Sequence, residues 1–266
     1  ATLYAVWGTP TNISSTAVNS SYNVSVPFGS AYKYFKFTPS YSGYYRFETN
    51  TDSVDPKCYL YDASGYQLAV DDDGGENRNF CLDYELTAGT TYYIYATLFS
   101  SSATGSYTMY LRKGYNVSFD ANGGSNAPSA QIKYYGTDLT LTTDVPQKGY
   151  NIILNANGGN FGTNVQLGSM TIMTNCQFNC WNTYPNGNGT NYSVGGTYSA
   201  NSDITLYAKW QNPTVGTLTE PRRAGYIFDG WYTSATSGTL ITPSVVVSSN
   251  MPVYAHWTPI EYKIAY

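Results

Sequence analysis

Asp71-Asp72-Asp73-Gly74-Gly75-Glu76-Asn77 is the densest run of oxygen-bearing side chains in the sequence. A hard cation such as calcium takes about six to eight oxygen ligands, and a glycine-containing loop lets carboxylates and carbonyls converge on one. Adjacent carboxylates repel unless a cation or solvent intervenes. Asp71, Asp72 and Asp73 are therefore candidate calcium ligands. Asp52 and Asp55, in the turn before Cys58, complete the set if they face the same end of the domain. The alternate-residue spacing and distant Glu of an EF-hand are absent, and a solvated acidic turn is the competing reading. No other cofactor is indicated.

Catalysis has little to work with. Nucleophilic or acid–base chemistry needs a base placed beside a nucleophile, and the chain carries one histidine, His256. His256 sits in a phrase that recurs three times: Thr2-Leu3-Tyr4-Ala5-Val6-Trp7, Thr205-Leu206-Tyr207-Ala208-Lys209-Trp210 and Pro252-Val253-Tyr254-Ala255-His256-Trp257. Its counterparts are Val6 and Lys209, so a surface-facing strand position explains it, and no catalytic residue is assigned. Most acids sit in turns, which speaks against a paired-carboxylate glycosidase. Cys58 and Cys81 each lie in a strand-like run, and a disulfide between them is open if those strands are neighbours. Cys176 and Cys180 fall on one face of a strand about 13 Å apart, at roughly 3.3 Å per residue, and read as free thiols. Zinc wants four ligands, and His256 is remote from every cysteine in sequence.

Charged residues make up 11% of the 266, with 29 tyrosines and 25 glycines. That is far below the roughly 25% charge of soluble domains and suits half-buried pleated strands. The net charge of −4 leaves no basic patch for phosphates, so nucleic acid is excluded as a partner. No apolar run is long enough to cross a bilayer, so no membrane insertion is expected, and no signal peptide is present, an absence that in an excerpt says nothing about secretion.

The recurring phrase marks tandem repeats, and the chain reads as an excerpt of a longer array. Residues 1–11 would be the tail of a preceding repeat and residues 259–266 the start of a further one. Over residues 12–113, short alternating runs (Tyr32–Phe37, Tyr44–Thr49, Cys58–Asp62, Gln67–Val70, Phe80–Leu86, Thr91–Thr97, Ser106–Arg112) alternate with turn signals. With no helical period, they predict an antiparallel β-sandwich. From Gly114 onward Asn-Gly-Gly turns and Gly-Tyr pairs take over. Asn-Gly tolerates the two positive φ angles of a type I′ turn. The fold class is all-β.

Two repeats are expected, at 114–211 and 212–258. Gly149 and Trp181 lie 32 positions apart, Gly225 and Trp231 only 6. About 26 residues, roughly Asn151 to Cys176, therefore read as an insertion in the first repeat. Because they contain a second Ala156-Asn157-Gly158-Gly159, an extra hairpin is expected. The second repeat has no opening strand of its own near Thr214–Leu218, leaving its sheet either short at one edge or completed by a borrowed strand. Gly114 and Asn212-Pro213 are the expected junctions. Trp7, Trp210 and Trp257, with Trp181 and Trp231, recur in register, which argues for core packing over a sugar platform. Tyr44, Tyr45, Tyr92, Tyr93 and Tyr95 lie in alternating strands where some rings face out.

Two resemblances sharpen this. "YFKFTPSYSGYYRFET", "YLYDASGYQLAVDDDGG" and "LTAGTTYYIYATLFSSSATGSYTMYL" resemble the bacterial pre-peptidase C-terminal domain. That resemblance implies a jelly-roll-like sandwich appended to secreted enzymes and surface proteins, in some of which the Asp-rich loop binds calcium. "VSFDANGG", "KGY", "WNTYPNGNGTNYSVGGTYSANSDITLYAKW" and "AGYIFDGWYTSATSGTLITPSVVVSSNMPVYAHW" resemble the Listeria–Bacteroides repeat, also known as the internalin B-repeat. It implies compact β-grasp-like units arrayed in bacterial surface proteins. The expected function is thus a non-catalytic structural or adhesive segment, extracellular or on the cell surface. Its partners would be neighbouring repeats and a host or cell-surface protein or glycan. The alternatives are an accessory region of a secreted hydrolase, or a calcium-dependent glycan-binding module.

Overall fold

The computed structural model describes residues 9–29, 31–162 and 168–264. Thr2–Trp7, including Trp7, and the terminal Tyr266 lie outside them. Every regular element among the described residues is a strand, as the alternation requires. The chain divides into two compact units.

The first unit draws on Ala1–Ser118, Ala130–Leu141 and Gly195–Ile204. Its strands are β1 (Thr11–Ile13), β2 (Asn19–Val26), β3 (Lys33–Phe37), β4 (Gly43–Thr49), β5 (Pro56–Asp62), β6 (Gln67–Asp71), β7 (Cys81–Leu86), β8 (Tyr92–Leu98) and β9 (Gly105–Asp120). One sheet runs β1-β3-β8-β5-β6, with β1 parallel to β3 and the remaining pairs antiparallel. In the other, β2, β9, β4 and β7 pair antiparallel in that order. Inward residues of both sheets, among them Phe35, Phe37, Leu60, Ile94, Tyr45, Phe47, Met109 and Leu111, make one core. This is the sandwich the two-residue period predicts.

β10 (Gln131–Tyr134) adds to β9 over Gly114–Val117, and β11 (Leu139–Thr140) pairs with a strand from much later in the chain, β16 (Thr197–Tyr198). β9 passes through Gly114 without interruption. A Cβ there would stand 2.6 Å from Ile132 Cγ2 and 3.1 Å from Tyr44 Cβ. Glycine at this position is what lets the sheet close over the strand rather than a linker.

The second unit draws on Phe119–Ser129, Thr142–Val194 and Thr205–Tyr266. Its strands are β12 (Gly149–Asn155), β13 (Ser169–Asn175), β14 (Gln177–Asn182), β15 (Asn191–Tyr192), β17 (Ile204–Gln211), β18 (Tyr226–Tyr232) and β19 (Met251–Pro259). β14 pairs antiparallel with β15 and β17. A separate sheet has the order β13-β12-β19-β18. Within it β12 is parallel to β19, and the outer pairs are antiparallel. Ile152, Leu154, Ala156, Phe161, Val215, Trp231, Val247, Val253 and Ala255 form its core.

The stretch read as an insertion does form a hairpin, β12 against β13, in unbroken register from Gly149↔Asn175 to Asn155↔Ser169. Its first strand also supplies the opening strand that the second repeat does not have of its own. β12 lies along β19, so the sheet of the second repeat is completed by a borrowed strand, not left short.

Candidate functional site

The two Asn-Gly-Gly turns are the centre of each repeat. Asn122 and Gly123 have φ of 49° and 79°, Asn157 and Gly158 of 46° and 87°. Gly124 N–H donates to Ala121 O at 3.0 Å and Gly159 N–H to Ala156 O at 2.9 Å. Both are turns with positive φ at two central positions, which Asn and Gly adopt at least cost. A carboxylate or amide two residues before each Asn accepts its backbone N–H, Asp120 for Asn122 at 2.7 Å and Asn155 for Asn157 at 2.9 Å.

Each turn Asn then reaches into the repeat. Asn122 Nδ2 donates to Pro185 O at 2.7 Å and Ala208 O at 2.9 Å. Asn157 Nδ2 donates to Ala235 O at 2.8 Å and Ala255 O at 3.0 Å. The closing tryptophans return the contact: Trp210 Nε1 to Ala121 O at 2.9 Å, Trp257 Nε1 to Ala156 O at 3.0 Å. Behind them Phe178 packs edge-on between Trp181 and Trp210, and Phe228 between Trp231 and Trp257. Even a bulge recurs, between Phe178 and Cys180 and between Phe228 and Gly230. Trp181, Trp210, Trp231 and Trp257 are thus core and latch of their repeats.

Residues 115–153, 150–209 and 211–256 match the Listeria-Bacteroides repeat domain, together more than half of the chain. The chain belongs to this family. A "Putative Gly-rich membrane protein" of Evansella cellulosilytica is 25% identical over 215 residues, covering 67% of this chain and 22% of that protein. The chain therefore spans less than a quarter of that relative's length. The pre-peptidase C-terminal domain of a collagenase from Bacillus anthracis is similar at 14% identity and a TM-score of 0.32. That similarity covers 41% of this chain and 98% of the domain.

Listeria-Bacteroides repeats are here not folded in the order in which they are matched. The middle match begins with the strand that ends in Asn157-Gly158-Gly159, and closes at β17. In space that strand docks on β19, which belongs to the last match, while Trp210 of β17 latches the Asn-Gly-Gly turn of the first match. The opening strand of one repeat lies between the two halves of the other. Sequence reading saw the duplicated motif but assigned it to an insertion, because linear spacing carries no record of which β-strand it pairs with.

His256 occupies the outward position expected of it. Its Nε2 faces Ser234 O at 2.8 Å, so that nitrogen carries the proton, and its ring stacks on Tyr232. Lys209, its counterpart, donates Nζ to Gly187 O at 2.9 Å. Unrelated side chains thus do the same work, tethering the loop after β14 or β18 to the closing strand.

In the acidic loop of the sandwich, Asp71 and Asp72 have partners within the protein. Asp71 Oδ2 accepts from the N–H groups of Gly74 at 3.1 Å and Cys81 at 2.6 Å. Asp72 pairs with Lys57 Nζ at 3.6 Å, and Asp73 is exposed. Asp52 and Asp55 do reach this loop, through Asn77 Nδ2 at 3.3 Å and Arg78 at 3.4 Å. Among the described residues, no three His, Cys, Asp or Glu side chains converge as a metal site. The organiser that sequence reading missed is Asn79, buried at 3% exposure. It accepts from Thr49 Oγ1 and Thr51 N–H and donates to Thr51 O and Glu76 O. Its burial is visible only in the structure; the sequence offers no more than an Asn just before the strand, in a turn-rich segment.

All four cysteines are free. Cys58 points into the core from β5 and Cys81 lies on β7 in the opposite sheet. The condition for a disulfide, neighbouring strands, is not met. Burial pushes the Cys58 thiol up, and pushes Cys81 up to about 11. Neither is a ready nucleophile. On the outer face of the β4–β9 sheet, Arg46 forks onto Asp83 at 2.7 Å through two nitrogens, and Arg112 pairs with Glu48. Beside them, with Asn79 and Tyr110, opens a polar cleft of about 510 Å³.

Proposed function

We propose that this chain is a non-catalytic structural segment of a bacterial cell-surface or secreted protein, serving to space and display neighbouring domains. The observation that carries this reading is the interleaving of the two repeats. Each one's opening strand is separated in sequence from its closing strand by part of the other. Repeats tied in this way cannot be peeled off singly, which suits a load-bearing array. The relative's description as a membrane protein and membership of a repeat family support a surface location. Histidine and thiols committed to loop tethering and core packing support the absence of catalysis.

The test is protease treatment of intact producing cells, followed by immunodetection of the segment. Loss of signal from intact cells, or its release into the medium, is expected. Retention until lysis would overturn the reading. A second, adhesive reading is favoured by the polar cleft beside Arg46, Glu48, Tyr110 and Arg112, whose paired charges hold planar donors and acceptors rigidly. Retention on a glycan array, lost in Tyr110→Ala, would support it.

A further inference from the structure

We propose that the face of β19 is a strand-acceptor site, able to take the Asn151–Asn160 strand of a second copy of this chain in place of its own. The inference goes beyond the structural reading above and stands without it.

The site reads an extended strand by general and specific contacts together. Ile152, Ile153, Leu154 and Asn155 pair in parallel with Met251, Pro252, Val253 and Tyr254. Asn250 Oδ1 accepts the Asn151 N–H at 2.8 Å at the start of the strand. At its end, Asn160 and Arg222 exchange both backbone hydrogen bonds at 2.8 Å. Between these, the buried Ile152, Leu154 and Ala156 fill the repeat core. Specificity comes from the turn. Asn157 supplies two donors to Ala235 and Ala255, and Gly159 lies so close to Trp257 that a Cβ would stand 2.5 Å from Cζ2. An occupant must therefore carry an apolar alternation ending in Ala-Asn-Gly-Gly.

Two facts point to a second copy as that occupant. The chain contains two such strands, and Asn122 and Ala121 of the other one make the same contacts with Ala208 and Trp210. The seat of β12 on β19 is also not enforced by a turn, because the hairpin that carries it, β12 with β13, is separated from the acceptor by β14 to β18 in sequence. A hairpin joined to its acceptor only through other elements can be supplied whole from another chain with its pairing to the acceptor and its own register kept, the condition for domain swapping. Tethering gives the resident strand a higher effective concentration, so exchange shows when it is released or disabled.

The test uses a fluorescent peptide of residues 149–161 and the full chain carrying Ile152→Asp with Leu154→Asp. The peptide is expected to bind this variant and raise its melting temperature. The same peptide with Asn157→Ala should bind about tenfold more weakly, as expected for lost hydrogen bonds. The unaltered chain, its site filled, should bind the peptide at least about tenfold more weakly than the variant. A second measurement does not depend on the variant folding. Ile153 and Pro252 are register partners on the exposed side of β12 and β19. Copies carrying Ile153→Cys are mixed with copies carrying Pro252→Cys, warmed to just below the melting temperature, cooled and oxidised. A disulfide-linked heterodimer containing that pair supports exchange. Its absence, or a folded variant that ignores the peptide, overturns the proposal.

Discussion

Trp257 donates its indole N–H to the carbonyl of Ala156, 3.0 Å away in space and 101 residues earlier in the chain. Trp210 does the same to Ala121 across 89 residues, at 2.9 Å. Each carbonyl also accepts the N–H that closes its own turn, from Gly159 for Ala156 and from Gly124 for Ala121. Replacing Trp257 by Phe keeps most of the ring packing and the turn bond but removes the indole's hydrogen bond. We expect a loss of about 0.5–1.5 kcal/mol on chemical denaturation, the net worth of one hydrogen bond. Trp231, whose indole nitrogen has no acceptor among the described residues, should tolerate the same Phe substitution with a smaller loss.

Asn157→Ala and Asn122→Ala each remove two side-chain hydrogen bonds and place a Cβ-bearing residue without local compensation at positive φ. The left-handed region costs about 1–2 kcal/mol for such a residue, and the stranded carbonyls add more, giving about 2–4 kcal/mol in all. Asn157→Gly keeps the turn and should lose only the hydrogen-bonding part. Equilibrium urea unfolding of the three variants gives the order: Gly milder than Ala, and the two Ala variants alike.

Gly159→Ala tests the close approach itself. Its Cβ would meet Trp257 Cζ2 at 2.5 Å and Arg222 O at 2.8 Å, neither of which is the free end of a flexible side chain. Overpacking of this kind costs about 1–3 kcal/mol. Gly168→Ala, whose Cβ meets nothing within 4 Å and which, like Gly159, has no positive φ, is the control for adding a methyl group alone. Thermal melts should show the larger drop for Gly159→Ala.

Alkaline pH should unfold the sandwich. Burial first, then neighbouring tyrosines, raise Tyr34 and Tyr45 from 10.0 to about 12. A raised folded-state value means that the native state holds the proton more tightly than the unfolded chain. The resulting stability is complete below pH 10 and disappears as pH climbs through 12. The melting temperature should hold up to about pH 10 and fall steeply beyond it. Absorbance at the tyrosinate band should contain a component, contributed by the buried rings, that rises only together with unfolding.

Asp71 caps its own loop, accepting from Gly74 and Cys81. Asp71→Ala should cost about 1–3 kcal/mol through the unsatisfied N–H groups. With Asp72 paired to Lys57 and Asp73 apart and exposed, calcium or a chelator should leave the melting temperature unchanged. A calcium-dependent rise that Asp71→Ala abolishes would restore the cation reading.

Much of this architecture is written locally. The period-two alternation of Lys33–Phe37, Gly43–Thr49 and Tyr92–Leu98 fixes which side of each strand is buried, because side chains on a pleat alternate by necessity. Asn122-Gly123 and Asn157-Gly158 specify their turns through backbone conformations that few other pairs adopt. The repeated tryptophans were legible as core for the same reason: equivalent surroundings select equivalent residues. What local chemistry cannot encode is partnership. The strands that run into the turns at Gly124 and Gly159 carry the same motif, and β17 and β19 offer equivalent latches, so chain order alone would have joined the second strand to β17. Tertiary structure decided otherwise, and likewise placed Cys58 and Cys81 in opposite sheets and turned Asp71 onto its own loop. The latching of each repeat depends on which surfaces meet across about a hundred residues of intervening chain, and the placing of Cys58 and Cys81 on which sheet each strand joins, and both are settled only when the whole core closes.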